Sequence, residues 1–471
     1  MTAIFTFRLM LCCLLIAAVV AISPSGRADN ALDFDKAGAE ATRYLSQYLK
    51  IDTTVPPGNE KLGAEFLESI LKENGIETGL YETAPQRACI FARLKGSGKK
   101  RPIVLLNHID VVPARAEDWT HPPFAGETHD AELWGRGAMD MKGMAVAELE
   151  AMLLLKRSGR TLDRDIVFLG TPDEEVGGEF GAKWFVENHL ELIKNAEFLI
   201  NEGFHIDTDK DGKPRYWGVD VGEKSVLWLR LTARGEAGHA SMPMRNASTN
   251  QLVRALAQIV EAQPKPVVLP AVREYFDKIS TRESGWLKAA YADIDQAIKT
   301  PDTVEKLLQD KLKGSMLVNT VSLTVLKSGY KTNVIPAEAV AELDCRLLPG
   351  VKHEDFIAGL RSIVNDPAVD FSVLEWENTE SSPFNTDLFE AIKAVAAKEA
   401  PGVPVVPVVV PWFTDAHWFR ELGIVCYGFE PFEIDEQHLA TMHGKDERIP
   451  LSAVTDGVRR LYKVLETVAA H

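Results

Sequence analysis

In the first half of this sequence, apolar runs of strand length recur, and each hands over to side chains that can bind metal. VLLN is followed by His108 and Asp110, IVFLGTPD by Glu174 and Glu175, and FLIN by Glu202. Asp140 lies in LWGRGAMDMKG, just before a helix. In open α/β sheets, ligands bind beyond the carboxyl ends of the strands. Successive strand ends of this kind deliver His, Asp and Glu to one edge. A single acidic residue there is ordinarily a helix N-cap or a solvated loop residue. Four such clusters in succession fit that bland reading poorly.

The rest of the pattern supports an α/β class. Ala37–Tyr48, Glu60–Glu73 and Met144–Lys156 have helical character, while Ile166–Gly170 and Glu197–Ile200 are core-strand runs. Cys89–Leu94 and Ile103–Asn107, joined by the turn-rich GSGKKRP, are expected to pair as a hairpin. Alternation of this kind predicts a mixed, largely parallel sheet sandwiched by helices. A second pattern starts near Lys224. SVLWLRLTARG, Thr320–Leu326, Ala339–Leu347 and Val369–Leu374 are strand candidates, with helices at Thr249–Val260 and His353–Ile363. Their sum is a small open sheet with two helices on one face, interrupted by a charged, mostly helical insertion at about 264–317. From Ser382 the first pattern returns, with a helix at Thr386–Lys398, a strand at Ile424–Phe429 and a closing amphipathic helix at Leu451–Ala469. The expected organisation is a catalytic domain built from 29–223 and 381–471, with 224–380 inserted between its halves.

Composition sets bounds on partners. At 471 residues, with 46% hydrophobic and 25% charged, the chain can bury a large core without disulfides. A net charge of −16 argues against nucleic-acid binding, which needs clustered Lys and Arg. Leu9–Ile22 is almost wholly apolar, and Gly26 and Ala28 follow as a small-x-small cleavage site. Residues 1–28 therefore read as a signal peptide, which places the mature chain in a secreted or periplasmic setting, with an uncleaved N-terminal anchor as the alternative. The apolar run is shorter than the ~20 residues of a spanning helix, and no later stretch is long and apolar enough to span. Cys12 and Cys13 sit inside that run, away from a lipoprotein context. Cys89, Cys345 and Cys426 lie in strand-like apolar stretches and read as buried thiols, with no spacing for a disulfide framework or a thiolate zinc site.

Imidazole and carboxylate without thiolate suit a zinc site that keeps a position open for water. In His108-x-Asp110, the carboxylate is placed to take the second ring N–H of the imidazole. The adjacent Glu174 and Glu175 can point differently, one to metal and one to the reacting water. A two-metal site needs a bridging ligand between ions about 3.5–4 Å apart, a role open to Asp140.

NHIDVVP, WGRGAMDMKG, TPDEEVGG, NEG, GHAS, NVIPAEAVAELDCR and MHGKDERI, in that order, resemble the motif series of a zinc amidohydrolase family. That family includes bacterial carboxypeptidase G, yeast carboxypeptidase S, acetylornithine deacetylase, succinyl-diaminopimelate desuccinylase and aminoacylase. The helical insertion makes the chain most similar to the carboxypeptidase S and secreted N-acyl amino acid hydrolase branch. The resemblance implies a di-zinc exopeptidase fold with an inserted ferredoxin-like lid and dimerisation domain. It implies two zinc ions per chain, with cobalt or manganese as substitutes. His108, Asp140 and Glu202 would hold one ion, and Asp140, Glu175 and His443 the other. Glu174 would be the general base, Asp110 the partner of His108, and the Asp140–Met141 peptide cis. His239 would stabilise the oxyanion, often across a homodimer. Asn333 and Arg346 would contact substrate, Arg346 at its carboxylate. His443 fits the last ligand position better than His438, because HGKDERI matches the family's His-Gly-x-x-Glu pattern. His417 reads as a lining or packing residue, and His121, His129, His189, His205, His353 and His471 as surface or structural.

The implied chemistry is hydrolysis of an amide next to a free carboxylate, in a small peptide or an N-acyl amino acid. Zinc would lower the pKa of a bound water towards ~7, Glu174 would take its proton and later pass it to the leaving nitrogen, and His239 would offset the oxyanion charge. An aminopeptidase or dipeptidase on the same metal core is the nearest alternative, and should carry an acidic pocket where this chain offers Arg346. A serine hydrolase is disfavoured, since GHASM lacks the nucleophile elbow. A non-catalytic binding protein of this fold should lack a ligand or the base, and here none is missing.

Overall fold

The computed structural model describes residues 32–470, so the expected signal segment at 1–28 lies outside the described residues. An eight-stranded mixed sheet forms the larger layer. Its spatial order is Glu77–Ala84, Arg87–Leu94, Ile166–Thr171, Ile103–His108, Phe198–Thr208, Val425–Ile434, Pro214–Glu223 and Val405–Val410. Ile103–His108 runs parallel to both neighbours, and Phe198–Thr208 parallel to Val425–Ile434. Strands buried on both faces are expected to be continuously apolar. Ile103–His108, Ile166–Thr171 and Val405–Val410 are buried at every position. The helices Phe34–Leu49, Lys142–Ser158 and Leu451–Ala469 pack on one another. Lys142–Ser158, buried on every side from Lys142 to Leu155, and Leu451–Ala469 also pack on the sheet, while Phe34–Leu49 and Leu451–Ala469 present apolar stripes.

The expected hairpin between Cys89–Leu94 and Ile103–Asn107 does not form. Arg87–Leu94 pairs instead with Glu77–Ala84 on one side and Ile166–Thr171 on the other. The connecting loop explains why. Its backbone is tied to the segment leading into the third strand: Ser97 N–H donates to the Leu162 carbonyl (2.7 Å), Lys100 N–H to that of Asp163 (2.8 Å), and Gly96 N–H to Asp165 Oδ1 (2.8 Å). That segment delivers Ile166–Thr171 between the two strands a hairpin would have joined.

A separate four-stranded antiparallel sheet has the order Thr320–Ser328, Glu338–Leu347, Ser225–Arg234, Val369–Glu377. Counted along the chain this is the ferredoxin-like arrangement, and the helices Ser248–Glu261 and His353–Val364 cover one face. The strict alternation of Glu338–Leu347 puts Ala339, Ala341, Leu343, Cys345 and Leu347 under those helices, while Asp344 and Arg346 face away. The insertion at 264–317 forms five short helices. They do not blunt the edge of this sheet. The helix Pro270–Ser280 packs on the outermost strand of the large sheet, Val405–Val410, with Tyr275 buried beside Tyr216. The edge strand Thr320–Ser328 leaves Leu323 and Leu326 exposed. All three cysteines among the described residues are buried and unpaired, as their apolar settings predict.

Candidate metal centre

Five short segments bring the site together at the carboxyl edge of the large sheet. His108 is the last residue of its strand, and Glu174 and Glu175 occupy a single helical turn after Ile166–Thr171. Asp140 precedes the helix Lys142–Ser158, and the Asp140–Met141 peptide is cis. Glu202 lies within the long strand Phe198–Thr208, where the pairing with Val425–Ile434 loses register beyond Asn201. His443 sits in the loop before Arg448–Pro450 with a left-handed backbone (φ 56°).

The donor atoms converge as two triads that share Asp140. His108 Nε2 is 3.0 Å from Asp140 Oδ1 and 3.6 Å from Glu202 Oε2. His443 Nε2 is 2.9 Å from Asp140 Oδ2 and 3.2 Å from Glu175 Oε2. Within each triad the ligand atoms all lie within 4.8 Å of one another. One oxygen of Asp140 thus faces each triad, as a bridging ligand requires. The His108 ring is set by its other nitrogen. Nδ1 is 3.0 Å from the main-chain carbonyl of Asp110, which can only accept, so Nδ1 carries a proton and Nε2 is the atom turned to the carboxylates. The expected partner, the Asp110 carboxylate, lies farther off at 3.7 Å. Asp110 also fixes the base turn: its Oδ1 accepts from Glu174 N–H (3.2 Å) and its Oδ2 from Glu175 N–H (3.0 Å).

The electrostatics call for a cation. Burial, against which His108 works, holds Glu202 up at about 7, and burial together with the Glu202 charge pushes Glu174 well above the usual carboxylate range. His443 is raised to about 10 by its contacts with Asp140 and Glu175. Glu175 Oε1 is buried without a hydrogen-bond partner. Crowded carboxylates, two imidazole nitrogens whose protons a cation would displace, and an orphaned carboxylate oxygen are a donor set that fits two borderline divalent ions.

Other named residues lie apart from these triads. His239, on the short strand Gly238–His239, is exposed and pairs with Val334, and the adjacent Asn333 accepts at its carbonyl from Ala240 N–H (3.2 Å). His239 Nδ1 accepts from Ser241 N–H (3.1 Å), so Nε2 carries the proton in the neutral ring. Arg346 is half-buried and engaged with Asp344 on its own strand (2.7 and 3.0 Å). His438 is paired with Glu132 (2.8 Å) and Asp435 (2.7 Å), outside both triads. His417 is buried against the rings of Phe413 and Trp418, which suits a packing role.

Sequence reasoning missed the residue that joins the two halves of the site. Glu447 is fully buried, and its Oε1 accepts from Met139 N–H (2.9 Å) and Asp140 N–H (3.1 Å). Its Oε2 accepts from Gly137 N–H (3.1 Å) and Arg136, whose other nitrogen reaches the Gly444 carbonyl (2.6 Å). The Glu of HGKDE was the available signal. Asp415 was also missed: it is buried behind the site and accepts from Thr171 Oγ1 (2.9 Å).

Residues 104–467 match the description of peptidase family M20/M25/M40. The chain belongs to this family. It is 31% identical over 369 residues to a probable carboxypeptidase S-like protein of Dictyostelium discoideum, an alignment covering 74% of this chain and 68% of that one. Aminoacylase-1 of Homo sapiens is 27% identical over 430 residues, covering 90% and 94%. An N-fatty-acyl-amino acid synthase/hydrolase of Xenopus tropicalis is 30% identical over 359 residues, covering 75% and 70%. Among solved structures, an M20 family metallo-carboxypeptidase from Sulfolobus solfataricus superposes with a TM-score of 0.70 at 19% identity, covering 91% of this chain and 99% of that one. A Bacillus subtilis protein described as a dinuclear metal binding peptidase of the M20 family superposes with a TM-score of 0.56 at 15% identity, covering 92% and 98%. This M20 chain is thus an amide hydrolase, similar to carboxypeptidases and aminoacylases.

Proposed function

We propose that the chain is a two-zinc hydrolase that cleaves the amide bond adjacent to a free carboxylate, in a small peptide or an N-acyl amino acid. The observation that carries this reading is the pair of triads sharing Asp140. His108, Asp140 and Glu202 would hold one ion, and Asp140, Glu175 and His443 the other. When bound, the ions would acidify a water and polarise the scissile carbonyl. The chain's own residues do the rest. Asp110 orients both the His108 ring and the turn carrying Glu174. Glu174, whose burial favours the proton-holding form, takes the proton from water and returns it to the leaving nitrogen. His239 presents an Nε2–H donor suited to an oxyanion. Arg346 exchanges Asp344 for the substrate carboxylate, with its planar fork matched to either. Cobalt or manganese would serve the same ligands. Cleavage after residue 28 and export accompany this reading.

Chelation and repletion test it. Dialysis against a chelator should abolish turnover of N-acyl amino acids and dipeptides, and zinc should restore it. Full turnover by metal-free protein would refute the two-metal reading.

A further inference from the structure

A second group of metal-capable side chains lies outside this centre. The strands Glu127–His129 and Glu132–Trp134 form a hairpin, and Arg448–Pro450 pairs with the second of them. Glu127 and His129, two residues apart on one strand, point to the same face. His121, from the preceding loop, stacks on His129 with ring centroids 3.5 Å apart and planes 6° from parallel. His129 Nε2 is 3.1 Å from Glu127 Oε2. One ligand atom from each of His121, Glu127 and His129 lies within 4.8 Å of the other two. We propose that His121, Glu127 and His129 form an outer binding site for a divalent transition-metal ion.

Three features favour a site over a chance cluster. The chemistry is that of a transition metal, with two imidazoles and one carboxylate as the ligands among the described residues, which leaves positions for water. The histidines are half-buried, while Glu127 is exposed and able to follow them onto an ion. The surroundings also hold the cluster in place. Trp134 meets His121 edge-on (4.8 Å, 86°), and the Arg448 guanidinium, 4.8 Å from the Trp134 ring, braces it. Bringing both lone pairs onto one ion at about 2.0–2.1 Å turns the imidazoles out of parallel, a rotation available to rings at the surface.

The position gives such an ion a structural lever. It would tie the loop bearing His121 to the hairpin. That loop is already tied to the His443 segment, because Thr120 N–H and Oγ1 donate to Asp446 Oδ1 (2.7 Å) and Oδ2 (3.0 Å). The hairpin runs directly into Gly135–Asp140.

The test is equilibrium dialysis of the zinc-loaded full chain against Ni²⁺, with nickel and zinc per chain measured together. Wild type and His438→Ala, a control whose histidine pairs with Glu132 of the same hairpin, should each take up one nickel more than His121→Ala and His129→Ala. Circular dichroism of the variants should match wild type. With Cu²⁺ as probe, electron paramagnetic resonance should show superhyperfine coupling to two imidazole nitrogens, falling to one in either variant. Equal nickel in wild type and both variants, or a copper spectrum unchanged by them, would overturn the outer site. The zinc content of the same samples reports on the Asp140 centre separately, so failure there is distinguishable from failure here.

Discussion

At the scale of single residues, the arrangement separates groups that would hold metal from groups that would handle protons. Glu174 and Glu175 are adjacent and share the same Asp110 clamp, yet only Glu175 lies in a triad. Glu174→Gln is therefore expected to keep the wild-type metal content and lose about 10²–10⁴-fold in kcat, the usual cost of removing a general base. Metal analysis beside the kinetics checks it, and an empty variant would reassign Glu174 as a ligand. Arg346 makes the second prediction. Its fork grips Asp344 bidentately, so the resting pair occupies the donors a substrate carboxylate would need. Arg346→Gln should cost about 1.5–3 kcal/mol, or roughly 10–150-fold in kcat/KM, on free-acid substrates and little on the matching amides. An equal loss on both would leave Arg346 with a structural salt bridge alone. His108, Glu174, Glu175 and Glu202 were legible in sequence because each ends, follows or extends a core-strand run, whereas Asp140 was marked by its motif before a helix and His443 by the resemblance alone. Glu447 was not legible, because it works through backbone N–H groups, and nothing in a sequence marks which peptide groups converge on one carboxylate.

At the scale of elements, the least conspicuous sheet joins the two halves of the centre. Arg448–Pro450, Glu132–Trp134 and Glu127–His129 make three short strands, each of three residues. The middle strand leads into Asp140, and the first follows directly on the loop bearing His443. Such brief strands lack the alternating pattern that betrays longer ones, which is why the sequence reveals the long core strands and not these. The hairpin error has a similar origin: the GSGKKRP turn signal was genuine, but the loop's backbone is claimed by 162–165 from far along the chain. Glu447 pins the two halves, and Arg136 is its buried ionic partner. Glu447→Gln leaves the Arg136 charge uncompensated in the interior, which should cost about 3–5 kcal/mol of stability. Urea unfolding measures that loss, and metal titration of the folded fraction should show weaker binding at the triad containing His443. Unchanged stability would mean that the backbone donors alone hold the loop.

At the scale of the whole molecule, the four-stranded sheet and the Asp140 centre pose one question together. His239 and Asn333 lie beside each other near the small sheet, and neither belongs to a triad. His239 is exposed with its Nε2–H available, which is how a donor meant for another subunit's substrate would sit. The small sheet has an edge strand, Thr320–Ser328, with exposed Leu323 and Leu326, and the helical insertion packs on the large sheet instead of covering it. Open apolar edges are paired, covered or blunted in stable proteins. Edge-to-edge pairing of two copies would cover the strand and carry His239 towards the partner's metal centre. Mixing two inactive variants, His239→Ala and Glu174→Ala, decides between action across the dimer and action within one chain. If His239 acts across the dimer, each mixed pair has one site with an intact Glu174 and the partner's intact His239. Random exchange between two equivalent sites then restores roughly a quarter of the wild-type rate. If His239 acts within its own chain, no mixed pair has a complete site, and the mixture stays inactive even when sedimentation shows that subunits have exchanged. A monomer in sedimentation at working concentration would refute the paired edge and place the oxyanion donor within a single chain that closes on itself.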